Sequence, residues 1–167
     1  MRFIGLMLWV MSLSHCGFHL RGLTTLPPSF QQVYIVAPAD ARQLQAEIDN
    51  QLQAYNVAKA QNISKAHYQI VIDNIFFQRQ ISNISSSTTP RQYQLLYNIK
   101  FHVIDSHGEN IIPNGVINTN RLVSMNNERL LGSNYEQDFF LHEMQQEAAV
   151  QLVSTIGHYF QNHDDKP

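Results

Sequence analysis

The clearest pattern in the chain is an alternation of apolar and polar positions between Tyr93 and Ile104. Every odd position in this segment is apolar, and four of the six even positions are polar. A period of two is typical of an antiparallel strand that is buried on one face, because successive side chains point to opposite faces of a sheet. The segment therefore predicts a half-buried strand.

A second strand is predicted for residues 68–77, YQIVIDNIFF, which are also rich in β-branched and aromatic residues. Counting along this segment predicts Tyr68, Ile70, Ile72 and Phe76 on one face. Residues 68–77 and the strand at Tyr93 would then form neighbouring strands joined by a short connection.

Three other segments complete the predicted sheet. Residues 82–90, SNISSSTTP, have the composition of a flexible hairpin tip. Residues 111–123 predict a strand in which Pro113 and Asn114-Gly115 indicate an edge position or a bulge. Residues 32–36, QVYIV, predict a short first strand.

Helical periodicity occurs in two places. Asp40 is a candidate N-cap, with Gln43 three residues on, and the apolar stripe that follows predicts an amphipathic helix. A capping-box sequence, Ser133 to Glu136, precedes apolar residues at steps of four and predicts a long C-terminal helix. The two stripes are Leu44, Ile48, Leu52 and Tyr55, then Phe140, Met144, Ala148, Leu152, Ile156 and Phe160.

The element order β-α-β-β-β-α predicts an α+β fold, a two-layer α/β sandwich in which two helices pack on a mostly antiparallel sheet. We expect one such domain at residues 31–161 and a polar tail at 162–167. A compact body of this size would be roughly 25 to 30 Å across.

The N-terminus has the pattern of an exported lipoprotein. Arg2 precedes an apolar run from Phe3 to Leu13, which is too short to cross a bilayer and predicts a signal peptide at residues 1–15. The residues before Cys16, the only cysteine, resemble the bacterial lipobox in Leu13 and Ser14. His15 departs from it, because the pattern prefers a small residue there.

We expect lipidation of Cys16 over the alternative of an ordinary signal peptide, and residues 16–30 would then be a lipidated tether. Two or three acyl chains hold a protein on a membrane effectively for good. Gly17 is not the Asp that retains many Gram-negative lipoproteins in the inner membrane, so the resemblance implies the outer membrane, on its periplasmic side.

Charge and cysteine content exclude one class of partner and one source of stability. The 11 basic and 13 acidic residues give a net charge of −2. No basic cluster of the kind that binds nucleic acid is present, so no nucleic-acid partner is expected. A single cysteine also excludes an intramolecular disulfide, and packing must stabilise the fold.

No motif supports catalysis or metal binding. His142-Glu143 begins like a zinc-protease helix, but Gln146 stands where the second ligand should be. Asp105, His107 and Glu109 cluster around a turn and could hold a weak metal, but we favour a solvated hairpin turn, which needs polar side chains near Gly108 in any case. We therefore expect no catalytic residue, no metal and no cofactor. A hydrolase that uses His102, His107 and Asp105 is a weaker hypothesis.

Several short segments resemble the LptE family of outer-membrane lipoproteins of lipopolysaccharide assembly. Residues 16–22, CGFHLRG, followed by Leu26-Pro27, resemble the start of the mature family. The similarity continues in Tyr93-Gln94 at the opening of a strand and in residues 134–138, NYEQD, before the last helix, which contains Glu143-Met144.

The resemblance implies a non-enzymatic lipoprotein that plugs and helps to assemble the LptD β-barrel and takes part in delivering lipopolysaccharide to the outer leaflet. Arg79 and Arg91 flank the predicted hairpin tip and are candidate contacts for lipid phosphates. The alternative is a periplasm-facing lipoprotein that binds an apolar ligand between helices and sheet, without a barrel partner.

Overall fold

The computed structural model describes residues 26–84, 90–124 and 133–164. The signal peptide, Cys16 and most of the tether lie outside these residues, so their boundaries stay predictions. In chain order the helices and strands are β1 (Val33–Val36), α1 (Arg42–Ala54), β2 (Tyr68–Ile84), β3 (Pro90–Asp105), β4 (Asn110–Ser124) and α2 (Ser133–Asp164).

The strands form one sheet in the order β1-β2-β3-β4. β1 runs parallel to β2, and the other neighbouring pairs are antiparallel. Both helices contribute buried residues to a single core on one side of the sheet. The predicted α+β sandwich is therefore confirmed.

The alternation in β3 and the helical stripes build this core. The odd residues of β3 from Leu95 to Val103 are at most 2% exposed, whereas the even residues between them remain accessible. Burial of apolar surface on this scale is the main stabilising term for a chain without a disulfide. The helical residues that complete the core include Leu44, Ile48 and Leu52 of α1 and Met144, Ala148, Leu152 and Ile156 of α2.

A β-bulge in β2 makes one sequence prediction wrong. The register shifts at Asp73, between the pairs of Ile72 with Phe101 and of Asn74 with Lys100. One extra residue in a strand turns all later side chains of that strand to the opposite face of the sheet. Ile75 therefore packs against the core, and Phe76 lies on the opposite face, where it is 48% exposed.

The start of α1 also differs from its prediction. A single 3₁₀ turn at Ala39–Ala41 precedes the helix, and the residue at the N-cap position is Ala41. No side chain makes a capping hydrogen bond there, so Asp40 is not the cap.

The described end of the tether packs at one end of the sandwich. Phe30 is fully buried, and its ring lies 4.9 Å from the ring of Tyr68 and 5.1 Å from that of Phe160. These contacts join the tether to the start of β2 and to the C-terminal part of α2. We call this the tether end, and the opposite end, at the start of α2, the distal end.

The sandwich is longer than the diameter expected for a compact domain of this size. The 32 residues of α2 span about 48 Å and the 17 residues of β2 about 55 Å. The estimate of 25 to 30 Å assumed a spherical body, so it does not describe the long axis.

The predicted irregularity in β4 lies at Gly115, on an edge strand of the sheet. Gly115 pairs with Phe101, and two residues on β4 oppose one on β3 just before it, which is the geometry of a bulge. A Cβ atom at Gly115 would overlap the Phe101 ring, which is itself 1% exposed. This position therefore requires glycine for space.

We expect Gly115→Ala to lower the free energy of unfolding by about 1–3 kcal/mol, because the added methyl overpacks a filled core. Denaturant unfolding followed by circular dichroism measures it. Asn114→Ala, at the exposed neighbouring residue, is the control and should change stability by less than about 0.5 kcal/mol. Phe101→Leu combined with Gly115→Ala should be less destabilised than the sum of the two single changes, and simple additivity would contradict the steric explanation.

Candidate binding surfaces

Arg79 lies at the distal end, on the exposed part of β2. Its guanidinium lies over the Tyr93 ring, 5.0 Å from the ring centre, which is cation–π geometry. Arg79 Nη1 also donates a hydrogen bond of 3.3 Å to Gln137 Oε1 near the start of α2. These contacts orient the side chain while leaving the residue exposed.

A second arginine, Arg121 of β4, shares this end, although the sequence did not single it out. Leu95 pairs with Arg79 on one side and with Arg121 on the other, so the three residues form one cross-strand row. Arg121 Nη2 lies 3.6 Å from Glu147 Oε2 and 3.9 Å from Glu143 Oε2. Its charge is thus already engaged with α2, whereas Arg79 is held by a neutral amide and a ring.

The second sequence-predicted arginine, Arg91, has its backbone in β3, two residues before Tyr93. Its side chain lies outside the described residues, as does Cys16. The structure therefore places the Arg91 backbone at the distal end together with Arg79.

A small cavity lies beneath Arg79 and Tyr93 and reaches Val123 and Phe140. Its volume of about 10 Å³ has room for one water molecule at most. An acyl chain could not enter it. Among the described residues of the distal end, Arg79 is therefore an exposed basic side chain beside a cavity too small for a ligand.

The packing between the layers bears on the ligand-carrier alternative. The side chains where helices meet sheet, including Ile48, Ile99 and Leu152, have no exposed surface. A larger cavity of about 270 Å³ opens beside β1, between Asn50 of α1 and Lys59, at the edge of the sandwich. Four apolar residues line this cavity together with Asp49, Asn50, Gln53 and Lys59, and it is open to solvent, so it differs from the mostly apolar, enclosed site that such a ligand needs.

The residues considered for catalysis do not converge. His102 Nδ1 lies 2.9 Å from the carboxylate of Asp73, and His107 Nδ1 lies 3.2 Å from Asp105 Oδ2. His142 contacts the side-chain amides of Gln43 and Gln146. Each of these three histidines thus has its own polar partners, and no two of the three share one. Among the described residues, no group of three or more His, Cys, Asp or Glu side chains is placed to hold a metal.

Asp105 organises the turn between β3 and β4. Its Oδ1 accepts the backbone N–H groups of Glu109 and His107, both at 2.9 Å. These bonds, the one from Glu109 foremost, lower the pKa of Asp105 because they favour the charged carboxylate. The stabilisation is present above the ordinary pKa and is lost as pH falls through the lowered value. Asp105 thus contributes to the structure of the turn.

Tyr97 is the largest fully buried side chain of β3, and burial of its hydroxyl raises the pKa to about 12. Gln145 of α2 is its polar neighbour and partly offsets this effect. Tyr97 Oη and Gln145 Oε1 are nevertheless buried without a hydrogen bond of good geometry among the described residues. Polar groups in this state weaken a core.

In the part of the chain that the structure describes, no helix is both long and apolar enough to cross a membrane. A scan against protein families matches residues 30–156, which is most of the chain, to LptE, described as lipopolysaccharide-assembly. The chain therefore belongs to the LptE lipopolysaccharide-assembly family. A comparison with curated protein sequences finds no significant match.

Solved structures with the same fold include three lipoproteins. Uncharacterized lipoprotein B of Nitrosomonas europaea is 24% identical with a TM-score of 0.70, and the match covers 88% of this chain and 97% of that one. Rare lipoprotein B of Shewanella oneidensis is 16% identical with a TM-score of 0.70, covering 80% and 99%. A minor lipoprotein of Acinetobacter baumannii is 17% identical with a TM-score of 0.66, covering 77% and 92%. At these identities the likeness establishes the fold.

We expect Tyr97→Phe to leave stability at neutral pH unchanged within about 1 kcal/mol, because the hydroxyl it removes makes no good hydrogen bond. Above pH 10, the stability of the variant should also decline less than that of wild type. An unfolded tyrosine ionises near 10 and the folded one near 12, so the unfolded state is favoured as pH rises across this interval.

Thermal unfolding of both proteins at pH 7 to 12 measures this difference. Tyr34→Phe, in the short strand β1, is the control. An identical alkaline decline in wild type and Tyr97→Phe would contradict the assignment.

Proposed function

We propose that this protein is an outer-membrane lipoprotein of lipopolysaccharide assembly, anchored through Cys16, that plugs and helps to assemble the LptD β-barrel. The observation that carries the proposal is the family match over residues 30–156. The lipobox-like segment at Cys16 supports the anchor, and two or more acyl chains would keep the protein on the periplasmic side of the membrane.

The two ends of the sandwich support a division of roles. Phe30 fixes the tether at one end, and Arg79 lies eleven residues beyond Tyr68 along β2, which is roughly 35 Å away. An anchor at the tether end would hold that end near the periplasmic leaflet and leave the distal end, at the other end of the sandwich, free to extend into the lumen of a barrel. The distal end is then the part best placed to meet lipopolysaccharide inside a barrel.

The shape and chemistry of the body also suit a plug. A wide barrel has a lumen that its own side chains cannot fill. A rigid sandwich with a fully packed core could occupy that space without a ligand, metal or catalytic step of its own.

The proposal predicts that the tagged native protein, gently solubilised from the outer membrane, copurifies with one equivalent of a barrel protein. Mass spectrometry should find acyl chains on Cys16 as the new N-terminal residue. Cys16→Ser is the control and should be unlipidated. A solitary, acyl-free wild-type protein would refute the proposal.

We expect Arg79→Glu to reduce lipopolysaccharide bound per protein by about tenfold, since it replaces a charge-assisted contact to phosphate with repulsion. Lipopolysaccharide retained on the purified protein measures it. Lys65→Glu is the matched control, because Lys65 is exposed on the loop that leads into the tether end of β2. An equal loss in both variants would indicate a general charge effect, and no loss in either would exclude Arg79 as a contact.

A further inference from the structure

The two halves of the sandwich differ in how many elements build them. In the tether half the sheet has four strands, and both helices pack on it. β1 ends at Val36, which pairs with Val71, so the sheet continues beyond this point with β2, β3 and β4. α1 begins at Arg42, and Gln43 in its first turn contacts His142 of α2 at 2.7 Å. Among the described elements, the part of α2 before His142 is therefore the one helix over the distal half.

α2 itself changes character along its length. Every turn from residue 144 to residue 160 contains buried side chains, whereas none of residues 136–143 is buried. Phe139 is 57% exposed, and Phe140 and Leu141 are only partly buried against the core. We call residues 136–143 the flap. Because few apolar contacts hold it, the flap belongs to the part of the fold with low local stability.

The polar contacts of the flap lie at the surface. Arg79 Nη1 donates to Gln137 Oε1 at 3.3 Å, and Arg121 Nη2 lies 3.9 Å from Glu143 Oε2. The contact of His142 with α1 is also exposed. Exposed ion pairs and hydrogen bonds contribute little to stability, because water offers the same groups alternative partners. These contacts orient the flap without fixing it strongly.

The core is weak where the flap joins the rest of α2. Gln145, the second residue after the flap, is buried, and its Oε1 and the nearby Tyr97 Oη have no hydrogen-bond partner among the described residues. Buried polar groups in this state raise the free energy of the closed form. Water can reach them when the flap opens, so opening at this point costs less than it would over a fully apolar core.

We propose that the flap opens from the sheet as one unit about a hinge at Gln145 and so controls access to the apolar side chains beneath it. Leu95 and Val123, which line the small cavity under the flap, are only 2% and 7% exposed in the closed form. Opening uncovers them and separates Gln137 from Arg79. The distal end thereby gains an apolar surface that the closed form lacks, while the tether half stays rigid.

The first test places a thiol on either side of the hinge in the full-length protein. Leu95→Cys lies under the flap, and Ile99→Cys is the matched control on the tether side of Tyr97. Both native side chains lie on the core face of β3 and are at most 2% exposed. Reaction with N-ethylmaleimide under native conditions is followed at each site by peptide mass spectrometry, which separates it from any signal at Cys16. Each rate is corrected for the global stability of the same variant, measured by denaturant unfolding.

We expect Leu95→Cys to react at least about 100-fold faster than Ile99→Cys, because local opening requires less free energy than global unfolding. Equal corrected rates at the two sites would show that the sheet is uncovered only by global unfolding, and the proposal would then be wrong.

Hydrogen exchange of the wild-type protein tests the same proposal without a substitution. Backbone amides of the flap should exchange at least about 100-fold faster than those of residues 148–160, and by a similar factor throughout the flap. A rate that falls steadily from the start of α2 would indicate ordinary fraying of a helix end and would overturn the hinge. Equal protection of the flap and residues 148–160 would exclude opening altogether.

Discussion

The structure depends on the apolar face of β3. This strand pairs with β2 on one side and β4 on the other, and its odd residues from Leu95 to Val103 carry almost no exposed surface. The stripes of both helices close over this face and form one cluster with it. Because no disulfide reinforces the fold, this hydrophobic contact must offset most of the entropy lost on folding.

The same strand determines how the two sides of the sheet differ. Helices need an apolar surface, so they cover the odd residues and leave the even residues outward. Two β-bulges then adjust the neighbouring strands to this arrangement. The bulge at Asp73 moves Phe76 outward, and the one before Gly115 lets β4 pass closely over Phe101. Packing of the core therefore helps to decide which residues lie on the outward face.

The long axis connects the fold to its family. Phe30 secures the tether at one end, and Arg79, Arg121 and the start of α2 meet at the other. A short globular body would bring these features close together. An elongated sandwich separates them, which suits a family that handles a large amphipathic lipid near a membrane.

Much of the local structure could be predicted from the sequence. Three features could be predicted because they reflect a local period or a local steric rule, which acts within a few residues of the chain. They are the alternation in β3, the four-residue steps in α2 and the strand irregularity at Pro113. The order of elements, and so the fold class, followed from them. Arg79 could likewise be selected because it flanks a recognisable hairpin.

Tertiary structure alone decided which side chains share a surface. The facing of Phe76 depends on a one-residue bulge, which the apolar pattern of β2 does not reveal. Arg121 joins Arg79 only through pairing across β3. The sequence by itself determined periods and therefore elements. The register between strands determined which side chains share a surface. This register could not be predicted from the sequence, because hydrogen bonding between distant segments is specified by the packed core as a whole.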